Sequence, residues 1–231
     1  MYAAGVMTTT VITVPPDALV QDVASILLSN RISAVPVVRG DGTLMGIVSE
    51  GDLVRRAEVG TGRHRSWWLA MLTGRDTRAA EYVKEHSRRV TDVMTRDVIT
   101  ATPETPLRDI ATLLEKNRIK RVPIMDGGKV VGIVSRTNLV QALASMRKPQ
   151  KPEEVDADDA AIRESLVARL KAEPWMQPAL INVIVQDGTA DLWGLVESEA
   201  EKKAICVAAQ ITPGVRAVND HLTVSSAVSG L

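Results

Sequence analysis

Phenylalanine is absent from the 231-residue sequence, and the other aromatics are four Trp and two Tyr. The core must therefore be aliphatic. A ligand base would be gripped by Val, Ile and Pro more than by aromatic stacking. A single cysteine, Cys206, excludes an intrachain disulfide framework and a thiolate zinc cluster. Its setting, Ala-Ile-Cys-Val-Ala-Ala, reads as a small buried apolar residue rather than a reactive thiol. The three His, at 64, 86 and 221, show no ligand spacing, so no metal site is expected. No apolar run approaches the roughly eighteen residues of a membrane span. The opening MYAAGVMTTTVITVPP has neither the basic start nor the apolar stretch of an export signal, so a cytoplasmic location is expected.

Charge of one sign is also missing overall. The 28 Lys+Arg balance 28 Asp+Glu, which argues against a nucleic-acid-coating protein. The balance conceals a split. Residues 1–146 hold 19 basic and 15 acidic side chains, a net of +4, and residues 147–231 hold 9 and 13, a net of −4.

What is present is a repeat. Val6-Met7-Thr8 recurs as Val93-Met94-Thr95, Asn30-Arg31-Ile32 as Asn117-Arg118-Ile119, and Val35-Pro36 as Val122-Pro123, all offset by 87. Gly46-Ile47-Val48-Ser49 matches Gly132-Ile133-Val134-Ser135 at an offset of 86. The deletion falls where Arg39-Gly40-Asp41-Gly42 meets the shorter Asp126-Gly127-Gly128, a turn that tolerates it. Each copy reads β-α-β-β-α. A short strand (Val11–Val14; Val98–Thr100) is stopped by Pro. A helix follows with Val23, Ile26 and Leu27, or Ile110, Leu113 and Leu114, on one face. In the second copy Thr105 is the expected N-cap and Pro106 the first helical residue. Two buried strands come next, Ala34–Val38 and Leu44–Val48 in the first copy. A second helix is expected to begin near Asp52 or Asn138.

The motif Gly-h-h-Ser-x-x-Asp/Asn (h is apolar) occurs twice, at Gly46–Asp52 and Gly132–Asn138. With the Val-Pro and Val-Met-Thr phrases it makes residues 1–146 resemble a tandem CBS-domain pair, or Bateman module. The resemblance implies an α+β fold, a homodimer, and an adenine nucleotide bound as a regulatory ligand between the repeats, without catalysis. A strand end leading into a helix start offers backbone N–H groups to phosphate. Ser49 and Ser135 can donate to a phosphate, and Asp52 can accept from both ribose hydroxyls. The family's adenine position carries over to Thr13, Val35 and Pro36 in one copy, and to Thr100, Val122 and Pro123 in the other, and Ile47 joins them among the expected nucleotide-binding residues. The copies are unequal. Asn138 offers one acceptor oxygen without charge where Asp52 offers two. The second copy is richer in cations, and Arg118, Arg121 and Arg136 are expected on the phosphate side. Solvated helix-end residues are the alternative for Arg118.

The division expected from sequence is a first repeat over 1–58, a helical connection over 59–92, a second repeat over 93–146, a linker over 147–158 and a last domain over 159–226. The connection carries Trp67-Trp68 on a basic stretch, read as packing residues rather than a nucleic-acid platform. The linker is rich in Pro and acid.

The last domain reads α-β-β-α-β: helix Asp159–Lys171, strands Asn182–Gln186 and Thr189–Val196 about an Asp187-Gly188 hairpin turn, helix Ser198–Ile211 with a capping box from Ser198 and Glu201, and strand Ala217–Val224. The phrases Leu192-Trp193-Gly194 and Pro213-Gly214-Val215 make it resemble a BON domain. That resemblance implies an apolar or phospholipid partner. The hairpin turns Val183, Val185, Ala190 and Leu192 to the core and Ile184, Trp193 and Leu195 to the other face. This second face is a candidate contact surface for the CBS module, another subunit or lipid, a protein being preferred because the domain is acidic.

Together these features predict a regulatory protein that senses an adenine nucleotide through its CBS pair and relays the state through its BON domain. The alternative is a dimeric CBS scaffold without a nucleotide, whose BON domain holds a protein or phospholipid surface. No catalytic constellation is found, and neither a catalytic cofactor nor a nucleic-acid partner is expected.

Overall fold

The computed structural model describes residues 1–54, 83, 86–146, 159–177 and 180–225. The expectations for Arg55–Glu58, Trp67-Trp68 and the linker lie outside the described residues, as do residues 81, 82, 84 and 85 of a helix expected over Glu81–Val90; within that stretch Ser87–Arg89 are not helical, and Arg89 instead bridges Leu19.

The first repeat contains α1 (Val20–Ser29), β1 (Ala34–Val38), β2 (Leu44–Ser49) and α2 (Glu50–Leu53). The second begins with a short α3 (Val90–Val93), then α4 (Leu107–Lys116), β3 (Arg121–Asp126), β4 (Lys129–Ser135) and α5 (Arg136–Ser145). In each repeat the two strands form a two-stranded sheet. The helices bury the expected faces, Val23 and Leu27 on α1 and Ile110 and Leu114 on α4.

The chain forms two compact units, and they are not the two contiguous stretches of the sequence repeat. One comprises Ile12–Val98 and Gly127–Val130. The other comprises Met1–Val11, Ile99–Asp126 and Val131–Leu231. The openings of the repeats are thus exchanged. In the first unit, Thr95 pairs antiparallel with Ile47 through two 2.9 Å backbone bonds, and Val93 and Met94 enter the core with Val23, Val35 and Val48. In the second, Thr8 pairs with Ile133 through two 3.0 Å bonds, and Val6 and Met7 pack with Ile110, Val122 and Val134. The motif glycines make this possible. A Cβ on Gly46 would lie 2.6 Å from the Met94 sulfur and 2.8 Å from the Thr95 carbonyl. A Cβ on Gly132 would collide with the Met7 sulfur in the same way.

Three local expectations need correction. The strands expected at Val11–Val14 and Val98–Thr100 are single parallel bridges, Val14 to Val37 and Ala101 to Ile124. Pro36 and Pro123 lack N–H groups, so a neighbouring chain can use only their carbonyls. Val14 N–H donates to Pro36 O at 3.0 Å, and Ala101 N–H to Pro123 O at 3.1 Å. Thr105 does not cap α4. Its hydroxyl oxygen accepts from Thr102 N–H at 3.0 Å, and Pro106 is the N-cap. Finally, the motif helices start two residues earlier than expected, at Glu50 and Arg136.

The C-terminal domain, within the second unit, contains α6 (Asp159–Ala172), β5 (Ile181–Gln186), β6 (Thr189–Val196), α7 (Glu199–Gln210) and β7 (Ala217–Val224). β5 and β6 form the hairpin with Val183 opposite Leu192 and Val185 opposite Ala190. Asp187 and Gly188 both take positive φ, 51° and 69°, as a twist-matched two-residue turn requires. β7 returns parallel to β6 after α7. One sheet face packs with α6 and α7 around Leu166, Leu170, Leu192, Ile205 and Ala209. Ser198 caps α7 by accepting from Glu201 N–H at 3.1 Å, and the Glu201 carboxylate accepts from Glu197 N–H at 2.6 Å.

Candidate functional site

The early helix starts show what Ser-x-x-Asp does. Ser49 is the N-cap of α2 and Asp52 its third residue, so the two form a capping box. Asp52 Oδ2 accepts from Ser49 N–H at 2.9 Å and from Ser49 Oγ–H at 2.7 Å. The serine proton expected for a phosphate is thereby committed to the carboxylate. Among the described residues no hydrogen bond reaches Asp52 Oδ1. The carboxylate is half-buried and oriented, with one oxygen left to accept.

The second repeat copies this box and then spends it. Asn138 Oδ1 accepts from Ser135 N–H and Oγ–H, both at 2.7 Å. Its amide Nδ2 donates to Val6 O at 3.2 Å and to Thr8 Oγ1 at 3.4 Å. Only 5% of Asn138 is exposed. An aspartate could not donate to Val6 O, so the Asp/Asn difference between the repeats is a difference of role. Asn138 ties down the Val6–Thr8 segment, while Asp52 retains acceptor capacity.

The other expected ligand residues fall into two sets. Val35, Pro36, Val122 and Pro123 are buried, and the two prolines already accept the bridges described above. Thr13 and Thr100 are exposed, and Ile47 is half-buried. Arg118 is exposed and takes a positive φ of 53°, as Arg31 does at 50° in the matching place. Each follows an Asn C-cap whose side-chain amide donates at 2.9 Å to Ile26 O or Leu113 O. A left-handed arginine costs about 1 kcal/mol that a glycine would not. Arg121 is half-buried, and Arg136 is exposed at the first position of α5. A cation there opposes the helix dipole, whereas Glu50 complements it in the first repeat.

The candidate contact face of the C-terminal sheet lies against the second repeat. Ile184 is fully buried in the cluster of Val6, Ile110 and Ile124, and Trp193 packs against that cluster. Trp193 Nε1–H donates to Ser145 Oγ at 3.3 Å, and Asn182 Nδ2–H to Gln141 Oε1 at 2.8 Å, so α5 contacts both β5 and β6. His221 stacks on Trp193 with ring centroids 3.9 Å apart. Buried Asp191 accepts from Asn219 at 2.8 Å and lies 3.3 Å from the His221 ring. Leu195 is half-buried on the same face.

Sequence reasoning missed Arg163. It projects from α6 and is buried, with Nε–H donating to Val183 O at 2.8 Å and Nη2–H to Met7 O at 2.6 Å. Its signal was its place one turn before Val167, on the flank of the Ile162/Leu166/Leu170 stripe. Burial pushes its pKa down to about 10, so it remains charged at neutral pH. Among the described residues, no group of three or more His, Cys, Asp and Glu could hold a metal ion. No helix among them is long and apolar enough to cross a membrane.

Comparison with known proteins matches residues 3–58 and 90–145 to the CBS domain and 158–226 to the BON domain. An uncharacterized protein of Methanocaldococcus jannaschii, MJ1426, is 35% identical over 136 residues, covering 53% of this chain and 79% of its own. The chloroplastic CBS domain-containing protein CBSX1 of Arabidopsis thaliana is 30% identical over 58% of this chain and 60% of its own. The crystal structure of CBSX2 in complex with AMP superposes with a TM-score of 0.56 at 27% identity, over 64% of this chain and 99% of that one.

Proposed function

The chain belongs to the CBS-domain proteins and carries a C-terminal BON domain, and from that premise we propose that it is a non-enzymatic, cytoplasmic regulator that binds an adenine nucleotide and relays its presence through the BON domain. The observation that carries this reading is the Asp52 carboxylate, fixed by Ser49 with Oδ1 left over. The AMP complex of the structurally similar CBSX2 supports adenine as the base. Asp52 takes the ribose hydroxyls, with Thr13 and Ile47 toward the adenine. In the second repeat, Arg136 on the wrong end of its helix dipole and Arg118 in a left-handed backbone are both compensated if they meet phosphate.

The relay runs inside the second unit. α5 begins at Ser135, Arg136 and Asn138, and its later residues Gln141 and Ser145 touch the BON sheet. The segment Val6–Thr8 is held from one side by Asn138 and from the other by Arg163. A shift of α5 on phosphate binding therefore reaches both holds on the BON domain, and the ligand changes the population of docked and undocked states.

Titration calorimetry with AMP, ADP, ATP, NAD and S-adenosylmethionine tests the first part. At least one binds more tightly than 1 mM, near −4 kcal/mol, and Asp52→Ala weakens that ligand at least tenfold. No binding by any of them sinks the sensor reading.

A scaffold reading keeps one observation of its own. Val140 and Leu143, three residues apart on α5, are 65% and 67% exposed, an apolar stripe suited to a second copy of the chain. Light scattering of the wild type and Leu143→Glu distinguishes it. A dimer that the substitution dissociates supports self-association, and a wild-type monomer removes it.

A further inference from the structure

A cavity of about 630 Å³ lies between the N-terminal turn Ala3–Gly5 and α6, inside the second unit. None of the nucleotide-motif residues lines it. Its volume is that of a small-molecule pocket. Ala4, Met7, Val167, Ala168 and Val185 supply apolar wall. Arg163 supplies a charge, and it is 8% exposed. Both of its hydrogen bonds go to neutral carbonyls, Val183 O and Met7 O. Among the described residues no carboxylate pairs with it. A buried cation without a counter-ion is expensive, and its remaining N–H groups are donors without an anion.

The other charges around the cavity narrow the choice of ligand. Asp159 is committed, its two oxygens accepting from Asp187 N–H at 2.8 Å and Gly188 N–H at 2.9 Å. Glu164 stands exposed at the wall and penalises a dianion, while Lys171 is an exposed cation at the same wall. One buried guanidinium in an apolar recess suits a planar monoanion with an apolar tail. A recess, unlike a convex surface, takes a free molecule rather than a bilayer.

We infer that this cavity is a second ligand site, for a small amphipathic monocarboxylate whose head pairs with Arg163 and whose tail lies along Ala4, Val167 and Ala168. The site is independent of the nucleotide reading. Binding replaces neutral acceptors by a charge-assisted pair and fills the apolar volume.

The test uses the full chain with decanoate as the probe, decanol as its uncharged analogue, and phosphatidylglycerol vesicles as the bilayer form of an anion. Calorimetry is expected to show decanoate binding below 1 mM and decanol at least tenfold weaker. Ala168→Trp, which fills the cavity and leaves Arg163 in place, is expected to weaken decanoate at least tenfold while keeping the wild-type melting temperature in the absence of ligand. If Ala168→Trp shifts that temperature, Val167→Leu serves as the milder filling variant with the same expectation. Asp52→Ala is expected to bind decanoate as the wild type does. Equal binding of decanol, undiminished binding by the filling variant, or binding confined to vesicles overturns the inference.

Discussion

At the scale of single residues, one atom separates the two repeats. Asp52 and Asn138 occupy the same place in the same capping box, yet Asn138 carries an N–H pair that reaches Val6 O and Thr8 Oγ1. The sequence showed the substitution and its lower acceptor count. It could not show that the amide is a tether, because Val6 and Thr8 lie over a hundred residues away. Asn138→Asp places a carboxylate against a carbonyl oxygen and loses both bonds. About 1–3 kcal/mol of stability should go with them, read as a lower urea midpoint with an unchanged slope. An unaltered midpoint would show the tether to be unimportant. Cys206 has the opposite character. Burial and then the nearby Asp220 push its thiol pKa up, so thiolate is scarce at neutral pH. Alkylation by iodoacetamide at pH 8 should be slower than for an unfolded control, and equal rates would contradict this. The apolar setting of Cys206 in the sequence had pointed the same way.

At the scale of elements, most of the architecture could be read from local patterns. β1, β6 and β7 have the bounds that β-branched runs and turn residues predicted, and the hairpin register followed from Asp187-Gly188. The first strands of the repeats could not be read this way. Their residues have strand composition, but their neighbours are prolines that limit the ladder to one bridge. The exchange of Val-Met-Thr openings was also hidden, since repetition in sequence carries no record of which copy packs where. It leaves a mark only in the motif glycines. Gly132→Ala drives a methyl into the Met7 sulfur, and Gly46→Ala does the same at Met94. Each should cost about 1–3 kcal/mol, the usual range for overpacking, seen as a lower melting temperature. In Gly132→Ala the loss should be relieved by Met7→Ala, which vacates the collision. An additive double mutant would refute the contact.

At the scale of the whole molecule, the contact between the C-terminal domain and the second repeat rests on apolar packing and hydrogen bonds to neutral groups. The acidic C-terminal domain packs with the second repeat through buried Ile184, through Trp193, and through Arg163. This contact carries a cost. Asn182 Oδ1 is buried with no hydrogen-bond partner among the described residues, a penalty of about 1–3 kcal/mol. A dock with such a defect is suited to opening under a modest ligand-driven bias. Arg163→Met removes the hold on Met7 while keeping most of the apolar stem. Because the guanidinium is charged in both states below pH 9, the stability difference between wild type and Arg163→Met should be flat from pH 5 to 9. Its folded pKa of about 10 lies below that of the unfolded chain, so the cost of burying the charge is relieved only as pH rises above about 10. A slope within pH 5–9 would contradict the assignment of the charge.

The proposed relay carries nucleotide binding at the repeats to the BON domain. Amide hydrogen exchange of the full chain, with and without saturating AMP, tests it most directly. Protection is expected around Ser49–Asp52 and lost there in Asp52→Ala, and altered exchange is expected in α5 and in β5–β6 near Asn182 and Trp193. Protection confined to the first repeat, with α5 and the BON sheet unchanged, would contradict the relay. No AMP-dependent change anywhere in the chain would contradict AMP sensing itself.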